Sequence, residues 1–173
     1  MAGTNPYTAL ARASIEFYLA KGRIPDLPAD TPLALLGVRA GAFVTLYKGG
    51  QLRGCIGTIT PLCPTLAGEI IRNAVASATE DPRFPPVKAE ELGDLVISVD
   101  VLGQAEEIHK AEELDPARYG VIVSTSYKRG LLLPKLEGID TPEEQLSIAL
   151  QKAGIRPGSS YRMERFEVVR YEE

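Results

Sequence analysis

Ala42-Phe-Val-Thr-Leu-Tyr-Lys48, Gly49-Gly50 and Gln51-Leu-Arg-Gly-Cys-Ile-Gly-Thr-Ile59 together form the stretch that decides the fold. Two β-prone runs separated by paired glycines read as a hairpin, because glycine supplies the positive φ angles that tight turns between twisted strands require. With Lys48 opposite Gln51, alternation of side chains sets Leu46 against Arg53 and Val44 against Cys55 on one face. Phe43, Tyr47, Leu52 and Ile56 then take the other.

Working outward, a helix is expected from about Pro64 to Thr79, with Leu66, Ile70, Ala74 and Ala78 forming its apolar stripe. Glu80-Asp81-Pro82-Arg83-Phe84-Pro85-Pro86 stops that helix, since closely spaced prolines cannot continue one. Leu95 to Leu102 alternates as a strand, and Gly120 to Leu133 reads as a second hairpin turning near Tyr127 to Gly130. Thr141, Pro142 and Glu144 form a capping box opening a helix that Gly154 closes, and a final strand runs from about Arg165 to Tyr171. Before the first hairpin, Asn5-Pro6 caps a helix that ends at Gly22 and buries Leu10, Ala13, Ser14 and Phe17. Residues 23–40, with Pro25, Pro28 and Pro32, are expected to be an irregular surface segment.

Hairpin followed by helix therefore occurs twice, by ancient duplication or by chance. The class is α+β: antiparallel or mixed sheets built from two hairpin-plus-helix units, with helices packed on the sheets. The length of 173 residues suits a single domain over 1–173, with a possible smaller lobe formed by 23–40 and its neighbours.

A composition of 45% hydrophobic and 24% charged residues is that of a globular chain able to bury a core. No stretch approaches the ~20 apolar residues of a membrane span and no signal-peptide pattern opens the chain, so a cytoplasmic protein without a membrane partner is expected. A net charge of −4 disfavours nucleic acid. Cys55, Cys63 and the single His109 fall short of a tetrahedral site, so neither a metal nor another cofactor is expected. Nothing resembles a phosphate-binding or dinucleotide-binding glycine loop.

Cys55 is the first candidate for chemistry. Arg53, two positions earlier on the same strand face, would stabilise the thiolate, while Gly54 and Gly57 would leave room for a ligand. The competing account makes Cys55 a small buried hydrophobe. Glu80, Asp81 and Arg83 form a second cluster on a proline-stiffened loop, read either as a ligand-binding set or as a helix stop. Tyr127-Lys128-Arg129 reads as a solvated hairpin tip, Cys63 as filler near a helix start and His109 as exposed.

Gly41-Ala-Phe-Val-Thr-Leu, Leu52-Arg-Gly-Cys-Ile-Gly-Thr, Asp81-Pro-Arg-Phe-Pro-Pro and Gly130-Leu-Leu-Leu-Pro, in that order, resemble the signatures of the AMMECR family. Glu90-Glu91-Leu92 and Lys152-Ala153-Gly154 extend the resemblance over nearly the whole chain. It implies an α+β fold of two unequal lobes and a protein often named protein A of the AmmeMemoRadiSam system. That system name implies association with a Memo-type protein and a radical S-adenosylmethionine (radical SAM) enzyme in a shared modification pathway. Two functions follow: an enzyme or enzyme component with Cys55 and Arg53 as catalytic candidates, or a noncatalytic module docking a small anionic ligand, a peptide or a partner enzyme. In either, Gly54, Gly57, Glu80, Asp81 and Arg83 are the ligand-binding candidates.

Overall fold

The computed structural model of the chain describes residues 5–173. Its elements are α1 (Pro6–Lys21), α2 (Leu33–Leu36), β1 (Ala42–Lys48), β2 (Gln51–Thr58), α3 (Leu66–Thr79), β3 (Leu95–Leu102), β4 (Glu106–Ile108), β5 (Gly120–Ser124), β6 (Arg129–Leu132), α4 (Pro142–Ala153), β7 (Arg162–Phe166) and β8 (Val168–Glu172). The class is α+β, with two four-stranded antiparallel sheets and helices packed on them. No described helix is long and apolar enough to cross a membrane.

The chain divides into two compact units. One comprises residues up to Val101, residues 23–40 among them, together with Val169–Glu173. Its sheet has the order β2-β1-β3-β8. Val44 and Leu46 on β1 pack with Ile70, Ala74 and Ala78 of α3, whose every-fourth apolar positions make one continuous stripe. Ala11 and Ile15 of α1 complete that core. The buried positions of α1 are Thr8, Ala11, Ser14 and Ile15, so Ala13 is exposed, unlike the stripe expected from sequence. Asn5 caps α1 by accepting from the Tyr7 N–H, as the Asn-Pro signal implies.

The second unit, Leu102–Val168, carries the sheet β4-β7-β5-β6. Val121 and Val123 of β5 pack with Leu132 of β6 and Ala149 of α4 around a separate core. The predicted terminal strand is two strands, β7 in this sheet and β8 in the other. β4 falls in a stretch expected to be polar loop, because a strand of three residues is too short to show a period.

The expected register of the first hairpin is wrong by one residue beyond Arg53. Leu46 pairs with Gly54 and Thr45 with Cys55, after a β-bulge at Arg53. The cause is α3: a Cβ on residue 54 would lie 2.2 Å from the Ser77 carbonyl oxygen, so only glycine can occupy that position of the helix-facing row. The extra residue brings Gly54 into line and turns Cys55 to the sheet face away from α3.

Candidate functional site

The bulge parts the two residues that the sequence joins. Arg53 directs its guanidinium to Glu91, with Nε and Nη2 each 3.0 Å from a carboxylate oxygen, and Lys48 Nζ donates to the same carboxylate at 3.0 Å. Glu91 also accepts from the Lys88 backbone N–H. Arg53 is therefore a structural clamp fixing the bulge, with its guanidinium fork turned to Glu91. Gly54 and Gly57 correct the sequence reading too. The room beside Gly54 is taken by the Ser77 carbonyl and that beside Gly57 by the Phe43 ring, leaving no open space at either.

Arg53, the Lys88 N–H and Lys48 together hold the Glu91 carboxyl down at about 2. A carboxyl depressed in the folded state stabilises the fold at pH values above its unfolded pKa, and that contribution disappears as pH falls through the folded value. Urea denaturation of Glu91→Gln should show a loss of about 1–2 kcal/mol at neutral pH, reduced from the full value of the pair by its partial exposure. The gap to the native protein should narrow between pH 4.5 and 2. A gap that widens on acidification contradicts the clamp.

Asp81 organises the other side of Cys55. It is 5% exposed, and Oδ2 accepts from the Cys55 backbone N–H at 2.9 Å. The same carboxylate takes the Arg83 fork, Nε on Oδ1 at 3.0 Å and Nη2 on Oδ2 at 2.8 Å, and also the Arg83 N–H. These donors hold the Asp81 carboxyl well below the usual carboxylate range, Arg83 contributing most. The Arg83 side chain itself stays 56% exposed and lies over the Phe84 ring at 5.5 Å. Glu80 ends α3 as an exposed C-cap.

Cys55 Sγ lies 3.2 Å from Thr45 Oγ1. Thr45 pairs on its other side with Ser98 of β3, so the thiol and two hydroxyls form one row across three strands, with the Ser98 hydroxyl buried. Beyond it, buried Asp100 accepts the Arg170 fork at 2.7 and 2.8 Å. Burial pushes the Cys55 thiol above its ordinary value, and the Thr45 hydrogen bond and the Arg83 charge only partly offset it. Asp100 and Asp81 push the same way as burial. The balance of these influences disfavours the thiolate.

Cys55, Asp81 and Arg83 are thus brought together, whereas Arg53 and Glu80 stand apart from that contact. Sequence reasoning missed Thr45, Ser98, Asp100 and Arg170, which share the face only through cross-strand register. Cys63 sits before α3, where its N–H and that of Leu62 donate to the buried Glu69 carboxylate. His109 and Tyr127 are exposed. Among the described residues no three His, Cys, Asp or Glu side chains converge as a metal site.

The AMMECR1 family model matches residues 8–173. A Thermotoga maritima protein is 51% identical over 99% of both chains. A Clostridium acetobutylicum protein is 49% identical over 98% of this chain, which spans only 36% of that longer protein. Among solved structures, an uncharacterised protein from Pyrococcus horikoshii superimposes with a TM-score of 0.87 at 38% identity, over 96% of this chain and 89% of the other.

Proposed function

This chain belongs to the AMMECR1 family, and we propose that it is a binding module for a small anionic ligand, acting in a cytosolic modification pathway with Memo-type and radical SAM proteins. The observation that carries the ligand reading is the double use of Asp81, which ties the Cys55 backbone to the Arg83 fork. Both carboxylate oxygens are engaged from within the chain, so the loop is preorganised while the Arg83 side chain stays more than half exposed. Unengaged donors on a fixed guanidinium suit a carboxylate or phosphate. The pathway half of the proposal rests on the likeness of Leu52–Gly57 and Asp81–Pro86 to the AMMECR signatures, which is association and not mechanism.

A second reading keeps Cys55 as a reactive thiol, with Arg83 in the role the sequence gave to Arg53. The Thr45 hydroxyl at 3.2 Å and the Arg83 charge favour it, because both stabilise a thiolate. Burial outweighs them, so the binding module is preferred. Labelling of Cys55 at pH 7 as fast as a model thiol would reverse that preference.

The test compares iodoacetate with iodoacetamide on Cys55 in a Cys63→Ser background. Both reagents lose iodide to the attacking sulfur, so the ratio of their rates cancels thiol ionisation and reports how the site handles a negative charge. Arg83→Ala should lower the iodoacetate-to-iodoacetamide ratio about two- to fivefold, the range of an exposed charge pair. It should also slow both reagents at fixed pH, since loss of the cation raises the thiol pKa further. An unchanged ratio removes Arg83 as an anion anchor.

A further inference from the structure

The bulge at Arg53 has a second effect on the sheet face that carries Cys55: it sets Leu52, earlier on β2, on that same face. Leu52 pairs with Tyr47, and Tyr47 pairs on its other side with Val96 of β3. Tyr47 and Val96 stand two residues from Thr45 and Ser98. The row of Leu52, Tyr47 and Val96 therefore runs beside the row of Cys55, Thr45 and Ser98, about 7 Å away along the strands. An unbulged strand would put Leu52 and Cys55 on opposite faces, because side chains alternate with period two.

The two rows invert the usual order. A sheet face open to water turns polar groups outward. Here Leu52 is 37% exposed and Val96 48%, with Tyr47 half-buried between them, while Thr45 and Ser98 are buried. The Ser98 hydroxyl has no hydrogen-bond partner among the described residues, which a buried hydroxyl rarely lacks. Single exposed apolar residues are ordinary. Three in register beside a half-buried thiol, with the Arg83 side chain more than half exposed at the strand edge, combine the apolar lining and the few polar groups of a small-molecule site. Charge limits what that molecule carries. Asp81 and Asp100 both oppose negative charge at Cys55 and Arg83 favours it, so one anionic group beside Arg83 is accommodated while a second, placed across the row, meets Asp100.

We propose that the ligand of the Arg83 site is a monoanion with an apolar body, whose anionic group meets Arg83 and whose body crosses Cys55 to lie on Leu52, Tyr47 and Val96. The inference rests on the anion-binding reading of Arg83 and adds the class of ligand. Leu52, Tyr47 and Val96 are then specificity residues, selecting bulk through apolar area removed from water and not through hydrogen bonds. A small hydrophilic anion gains the Arg83 contact alone.

Cys55 lies under the proposed body and serves as its reporter. In the full chain carrying Cys63→Ser, iodoacetamide labelling of Cys55 is followed with acetate, butyrate, hexanoate and 1-hexanol at constant ionic strength. A fully buried methylene tightens binding about fourfold and a half-buried one about twofold, so the concentration giving half-protection should fall about tenfold from acetate to hexanoate. 1-Hexanol, with no anion for Arg83, should protect far less. Leu52→Thr combined with Val96→Thr, both at exposed positions, should cut the gain to about threefold or less, threonine preserving strand propensity and a urea midpoint near the parent's confirming the fold. Equal protection by acetate and hexanoate, or a gain that survives the threonine pair, would overturn the inference and leave the Arg83 reading standing. No protection by any carboxylate, or protection by 1-hexanol equal to that by hexanoate, would remove the Arg83 reading and the inference with it.

Discussion

Gly54→Ala is expected to cost about 3 kcal/mol or more of folding stability and to leave little soluble protein. The added methyl would stand 2.2 Å from the Ser77 carbonyl oxygen and 3.2 Å from its carbon, both backbone atoms of a helix. A side chain can rotate away from such a contact. α3 cannot retreat, because Ser77 Oγ donates to Val44 O at 2.7 Å and accepts the Ile56 N–H at 2.8 Å, pinning helix to hairpin on both sides of Gly54. Asn73 adds a third stitch through its amide to Ala42 O at 2.9 Å. Urea denaturation should show a lowered midpoint with an unchanged slope. Gly93→Ala is the control: its Cβ meets open space, so its effect should stay within about 0.5 kcal/mol.

Asp81→Ala should produce the second largest loss of folding stability, about 2–3 kcal/mol. Removing the carboxylate strands the Cys55 N–H and frees the Arg83 fork. An orphaned donor costs about 1–3 kcal/mol, and the half-exposed Arg83 side chain regains water, which keeps the total below that of a fully buried pair. Asp81→Asn retains an acceptor for the Cys55 N–H and should lose less. With the Asp81 carboxyl depressed in the fold, its stabilising effect is complete above the ordinary carboxylate pKa and fades only in stronger acid. The difference between native protein and Asp81→Ala should therefore be flat from pH 5 to pH 8.

Much of the fold was readable because the local signals were chemical. Asn5-Pro6 and the Thr141-Pro142-Glu144 box name their helix starts through capping, and Gly49-Gly50 names its turn through positive φ at both residues. The register was not readable. Pairing outward from Lys48 and Gln51 assumes an unbroken ladder, and the bulge at Arg53 is dictated by a carbonyl of α3 far along the chain. That single residue decided the candidate site. It moved Arg53 from Cys55 to Glu91 and brought Thr45 to the thiol, while Asp81 and Arg83 remained where a proline-stiffened loop suggested. Asp100 and Arg170 needed both sheet order and the return of the last strand to β3, which no local pattern encodes. The buried hydroxyl of Ser98 is legible only once Thr45 is known to stand between it and Cys55.

The most direct measurement is a crystal structure of the protein carboxymethylated at Cys55 by iodoacetate, with Cys63 replaced by serine. The account predicts that the new carboxylate lies within hydrogen-bond distance of the Arg83 guanidinium while Asp81 keeps its hold on the Cys55 N–H. A carboxylate turned to solvent or toward another cation, with Arg83 undisturbed on Asp81, would contradict it.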